Sequence, residues 1–120
     1  MVSSCVFLPD LVIITGDITS QATPREFELS RMVLDPLLSS NAIQKFVIPG
    51  NHDYYTHGAV RKKLFETFYE KWMHAREHDL PQLAVRDAAV LGLNPCQPNY
   101  LTSRGSYKPQ EVRPARLEPT

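Results

Sequence analysis

The chain has 120 residues, of which 42% are hydrophobic. That is enough for one small domain and argues against wholesale disorder, but it is short for the complete core of a two-layer α/β enzyme. Thirteen basic residues balance thirteen acidic ones, so the summed charge gives no reason to expect nucleic acid or an anionic membrane surface as a partner.

Cys5 and Cys96 are too few and too widely separated for a disulfide framework and lack the paired spacing of a zinc site. Both read as reduced thiols. Met1 to Ile14 is apolar, yet it has no basic region and is interrupted by Pro9 and Asp10, so it fails as a targeting signal. No apolar run reaches the length of a membrane span. The expected location is the cytoplasm, with peripheral membrane association of a full-length protein left open.

In chain order, Leu11-Val12-Ile13-Ile14 is a short apolar run rich in β-branched residues and closed by Thr15-Gly16-Asp17. It predicts a strand of the parallel type, buried on both faces. Thr23-Pro24-Arg25-Glu26 then predicts a helix start. Thr23 and Glu26 can form a capping box, and Pro24 suits the first helical position. This helix should run to about Ser39, bury Phe27, Leu34 and Leu38, and kink or end early at Pro36. Lys45-Phe46-Val47-Ile48 predicts a second buried strand, ended by Pro49-Gly50, which completes a right-handed βαβ unit.

A second helix is expected from about Ala59 to His74, because Val60, Leu64, Phe65, Phe68 and Trp72 fall on one face. Leu83–Arg86 and Ala89–Leu93 read as two strands joined by a tight turn at Asp87. From Asn94 onward, prolines punctuate a polar stretch without periodicity. The expected division is therefore a partial domain over 1–94 and a loop with a poorly ordered tail over 95–120.

The chemistry sits at the two strand ends: Gly16-Asp17 and Gly50-Asn51-His52-Asp53. Loops at the carboxyl ends of neighbouring parallel strands share one edge of the molecule, where ligands bind. The βαβ geometry thus brings Asp17 and Asn51 together although a whole helix separates them in sequence. Each follows a glycine, which lets the backbone turn sharply. Asp17 offers an anionic oxygen able to bridge two ions, Asn51 a neutral carbonyl oxygen, and His52 a ligand nitrogen or a proton donor. Two ions roughly 3.5–4 Å apart can clamp a phosphate and lower the pKa of a water between them.

Leu11 to Asp17 and Phe46 to Asp53 resemble the second and third signature blocks of the calcineurin-like metallophosphoesterases. The resemblance spans about Asp10 to Leu93, and Thr102-Ser103-Arg104-Gly105 is similar to the family's loop after a later strand. It implies an α/β fold, here a fragment of the family's four-layer α/β/β/α sandwich. It also implies two divalent ions, with manganese, iron, zinc and magnesium all open. Carried over residue by residue, Asp17 bridges the metals, Asn51 binds one of them, and His52 contacts the substrate phosphate or leaving group as the catalytic residue. Asp53 orients this group from behind, and Arg104 is a candidate phosphate contact, with a plain surface arginine as the alternative.

The departures are as informative. The family's Asp-x-His block has no counterpart before Asp17. Its late histidine and Gly-His-x-His block have none after Asn94, since the four histidines are His52, His57, His74 and His78. The expectation is a truncated copy, without normal turnover on its own. His57 reads as a loop residue, and His74 and His78 as an exposed helix end rather than a paired metal site.

The resulting functional expectation is a metal-dependent hydrolase of phosphomonoesters, phosphodiesters or pyrophosphates. Its partners would be phosphorylated small molecules, nucleotides or lipid-linked substrates. Gly-Asn-His-Asp-Tyr-Tyr is similar to bacterial members, including those acting on nucleotide-linked lipid precursors. Two alternatives stand beside it. An aspartate-nucleophile phosphatase would need a second acidic residue shortly after Asp17, and Ile18 to Thr23 offers none. A degenerate, inactive remnant serving as a binding module would account directly for the missing blocks.

Overall fold

The computed structural model describes residues 8–77, 79–94 and 96. β1 (Leu11–Ile14) and β2 (Gln44–Val47) pair in parallel, in register from Leu11↔Gln44 to Ile14↔Val47. One further bond, from the Ile48 N–H to the Ile14 carbonyl at 3.0 Å, carries the ladder toward the strand tips. Parallel strands need a crossover, and α1 (Pro24–Leu38) supplies it.

Thr23 caps α1 as its side-chain chemistry dictates. Its hydroxyl accepts the Glu26 N–H at 3.2 Å, while the Glu26 carboxylate takes the Thr23 N–H and hydroxyl in return. Pro36 does not end the helix, which continues to Leu38. It falls in the last turn, where little helix remains to be disturbed, and Ser39 closes the end with its N–H and hydroxyl on the Asp35 carbonyl.

The two strands differ in burial. Lys45, Phe46 and Val47 of β2 are buried, whereas Ile13 of β1 is 47% exposed and its neighbours are half-buried. The expectation of a β1 buried on both faces is therefore corrected. Among the described residues β1 has a strand along one edge alone, and Leu29 and Val33 of α1 stand exposed beside it. With Ile14, Ile18 and Leu34 these two side chains line an apolar groove of about 480 Å³. β2 is enclosed because Phe46 stacks on the His74 ring, 5.5 Å between centroids, and lies against Gly92.

The single helix expected over Ala59–His74 is two helices and a turn. α2 (His57–Arg61) begins earlier, with the Thr56 hydroxyl accepting the Ala59 N–H at 2.9 Å. α3 (Leu64–Tyr69) follows a break at Lys63, whose φ of +52° is left-handed, and a 3-10 turn covers Glu70–Trp72. Hydrophobic spacing reports which residues face inward but not the handedness of one residue between them.

The inward face is aromatic. Phe27 of α1 stacks on Phe68, 5.5 Å between centroids and 10° between planes, and meets Phe65 edge-on. Tyr69, fully buried, bonds Ser30 through its hydroxyl. Burial of this kind stabilises at about 25 cal/mol per Å² of apolar surface, and it fixes α1 and α3 behind the sheet.

β3 (Gln82–Val85) and β4 (Ala88–Leu91) form an antiparallel hairpin around Arg86-Asp87. Each strand begins one residue earlier than expected and also ends earlier, β3 at Val85, which leaves Arg86 in the turn, and β4 at Leu91. Arg86 ties this turn to Asp10 at 2.9 Å, at the end of β1 remote from the strand tips. The architecture is α/β.

Candidate metal centre

Glycine makes the strand tips possible. Gly16 has φ +95°, and Asp17 after it is left-handed at +55°. A methyl group at Gly16 would lie 1.8 Å from the Gly50 nitrogen. One at Gly50 would lie 2.3 Å from Asp17 Oδ1 and 2.4 Å from the Asp17 nitrogen. The two loops are thus packed backbone against backbone, with room for hydrogen alone at both contact points.

Asp17 lies exposed at this junction, and its Oδ1 accepts the His52 N–H at 3.0 Å. Asn51, half-buried, opens a 3-10 turn over Asn51–Tyr54. The Asp17 carboxylate therefore contacts the residues on both sides of Asn51: Gly50 by close approach and His52 by a hydrogen bond.

His52 is fixed by more than its backbone. Its Nδ1 lies 2.8 Å from the Ser20 carbonyl, and its ring stacks on Tyr55 at 5.9 Å and 3°. A carbonyl can only accept, so Nδ1 carries the proton of that bond and Nε2 is the nitrogen left for other chemistry.

Asp53, fully buried, accepts from both loops: Thr19 N–H at 2.9 Å and Thr19 hydroxyl at 3.0 Å on Oδ1, and Gly50 N–H at 2.9 Å on Oδ2. Tyr54 donates its hydroxyl to Glu66 and so anchors the turn to α3. Burial, reinforced by Glu66, pushes the Tyr54 phenol well above its ordinary value, so it remains a donor.

Two further groups frame the site. Glu26 accepts from the Ser20 and Gln21 N–H groups as well as from Thr23. Partial burial alone would raise its carboxyl; these bonds outweigh that and hold it below the usual 4.5. The Cys96 thiol, a free cysteine, donates to the Pro49 carbonyl at 3.6 Å. Burial, then the negative charges of Asp17 and Asp53, raise its pKa.

Thus Asp17, Asn51, His52 and Asp53 are gathered at one edge, and Arg104 lies outside the described residues, as does His78. His57 is not a loop residue but the exposed first residue of α2. His74 is not on an exposed helix end. It lies past the 3-10 turn, half-buried, and its Nε2 donates to the Lys45 carbonyl at 2.8 Å.

Thr19, Ser20 and Tyr55 had not been singled out. Nothing in hydrophobic spacing marks a loop threonine, and Ser20 acts through its backbone, which is blind to residue type.

The donor set fits a hard divalent cation in part. Asp17 and Asn51, on adjoining loops, are the residues that would supply oxygens to it. Among the described residues no group of three or more His, Cys, Asp or Glu that could hold an ion is gathered.

A carboxylate, a carboxamide and an imidazole at the tips of adjacent parallel strands are the groups expected of a metal-dependent phosphoester hydrolase. Residues 7–116 match the family model of the calcineurin-like phosphoesterases, and the chain belongs to that family. The family's general chemistry is metal-dependent hydrolysis of phosphoesters, and the α/β architecture is a fragment of its fold. No curated protein and no solved structure matches the chain. Among the described residues no helix is long and apolar enough to cross a membrane.

Proposed function

We propose that the strand-tip loops form half of a binuclear centre for phosphoester hydrolysis, in which Asp17 and Asn51 hold divalent metal and His52 meets the substrate. The observation that carries this reading is the junction itself: the Asp17 carboxylate accepts the His52 N–H and abuts Gly50, which leaves Asn51 between its two contacts. Bound divalent metal would supply positive charge to a substrate phosphate and acidify a nearby water.

The remaining steps belong to the chain. The Ser20 carbonyl and the Tyr55 ring orient the His52 imidazole. With Nδ1–H committed to Ser20, Nε2 is the atom that can hold a proton and pass it to the leaving oxygen. Asp53 keeps both loops in place by accepting from Thr19 and Gly50. The substrate is a phosphorylated small molecule, nucleotide or lipid-linked compound.

A truncated copy is the form of this reading that the sequence favours, because the family's Asp-x-His block has no counterpart before Asp17 and its Gly-His-x-His block none after Asn94. The competing reading, an inactive remnant that binds a partner, has the same shortfall in its favour.

The test expresses the full reading frame and follows hydrolysis of bis(4-nitrophenyl) phosphate with manganese. Asp17→Ala and Asn51→Ala should each lower kcat/KM by about a hundredfold or more, near 2.7 kcal/mol of transition-state stabilisation. Equal activity in wild type and both variants would remove the proposed site.

A further inference from the structure

Behind the exposed residues of the site lies a buried polar cluster that joins its two loops. Thr19 is 6% exposed and Asp53 has no exposure at all. Thr19 lies two positions after Asp17, and Asp53 two positions after Asn51. The Thr19 N–H and hydroxyl meet Asp53 Oδ1 at 2.9 and 3.0 Å, and Gly50 N–H meets Oδ2 at 2.9 Å. The Thr19 hydroxyl also accepts the Ala22 N–H, at 3.1 Å, and lies 3.3 Å from the His52 carbonyl. A hydroxyl is the side-chain group that can accept from Ala22 while donating its single proton to the carboxylate.

The two bonds that join the loops at the surface are of a different kind. Asp17 to the His52 N–H and His52 to the Ser20 carbonyl are both exposed, so water can replace either partner at a small net cost. Water cannot reach the Thr19–Asp53 contact. Breaking it strands buried donors, at about 1–3 kcal/mol for each unsatisfied group. The register of the loops is therefore set from beneath.

We propose that Thr19 is a positioning residue: with Asp53 it forms a clasp that fixes the spacing of the loops bearing Asp17 and Asn51, and through that spacing the affinity of the site for a divalent cation. The proposal rests on the reading of Asp17 and Asn51 as metal ligands. Ligand groups must be held within about 0.5 Å of their working positions, and loops free to slide past one another do not meet that demand. Because Ser20 directly follows Thr19, the clasp also places the carbonyl that accepts from His52.

The test uses the whole chain with three substitutions. Thr19→Val keeps the shape and removes the hydroxyl, and Thr19→Ser keeps the hydroxyl. Asp53→Asn keeps the shape, but whichever way the amide turns, its NH2 group faces a donor. Manganese binding is measured by calorimetry at a temperature where each protein is folded, and amide hydrogen exchange at Gly50 is measured without metal.

Thr19→Val and Asp53→Asn should each weaken manganese binding about tenfold or more and speed exchange at Gly50, whereas Thr19→Ser should remain within about threefold of wild type. A variant that was merely destabilised would bind normally once folded. If Thr19→Val does not fold, Asp53→Asn against Thr19→Ser makes the same comparison. Wild-type affinity in Thr19→Val or Asp53→Asn, or equal weakening by Thr19→Val and Thr19→Ser, overturns the clasp and leaves the metal reading standing. A wild-type chain that binds no manganese overturns the metal reading, and the role of Thr19 in affinity with it.

Discussion

The strand-tip loops and the aromatic layer behind them are held by opposite means. The Gly16-Asp17 and Gly50-Asn51 loops meet backbone to backbone, so that one added carbon at Gly50 would sit 2.3 Å from a carboxylate oxygen. Phe27, Phe65, Phe68 and Tyr69 meet ring to ring at centroid distances between 5.2 and 6.3 Å. The first region is specified by positive φ and hydrogen bonds, and the second by volume and shape. A site that must present a carboxylate and a carboxamide to one ion needs the first kind of specification, because packed side chains can rearrange where a glycine junction cannot.

Adding a single methyl to the first region should do the most damage. Gly50→Ala places a carbon against the Asp17 side chain and, at 2.4 Å, against the Asp17 backbone nitrogen, which cannot turn away as the carboxylate can. A loss of about 4 kcal/mol or more is expected from urea denaturation, together with loss of manganese binding. A Gly50→Ala protein with wild-type stability would break the contrast.

In the second region, removing the six carbons of a ring should do no more harm than adding one carbon does in the first. Phe27→Ala empties the centre of the aromatic cluster and should cost about 3–5 kcal/mol. Phe27→Leu should cost less than half of that, because neighbouring rings can close around it. Manganese affinity of the folded Phe27→Leu protein should match wild type. If it fell as far as in Thr19→Val, the two regions would not be separable.

The smallest effect sharpens the comparison at a third point. Lys63 holds a left-handed φ of +52° between α2 and α3, with no glycine to relieve it. Lys63→Gly should raise stability by about 0.5 kcal/mol in the same denaturation assay, since glycine adopts this conformation without the steric cost. A destabilised Lys63→Gly would mean that the side chain, not the backbone, matters there.

These same contrasts explain what could be read from the residues alone. Leu11–Ile14, the Thr23–Glu26 capping box and the Gly-Asn-His-Asp turn were legible because each depends on local chemistry that recurs in one form. The break at Lys63 was not, since amphipathic spacing runs through Val60, Leu64 and Phe65 whether or not the chain reverses its handedness between the first two. His74 was misread for a related reason. Its stacking on Phe46 and its bond to the Lys45 carbonyl join segments far apart in sequence, and helical spacing carries no record of them. The exposure of Ile13 was hidden because an apolar run states what a strand would bury, not what lies beside it. Within the site, Asp17, Asn51 and His52 were visible as residue types with chemistry, whereas Thr19 became visible through the carboxylate it faces.

The central claim is that Asp17 and Asn51 address the same cation. Anomalous diffraction from a crystal of the chain soaked in manganese tests it without any assay. The expected result is a manganese peak within roughly 2.0–2.6 Å of both an Asp17 carboxylate oxygen and the Asn51 carboxamide oxygen. A peak on one of the two alone, or at a different place on the molecule, would contradict the account.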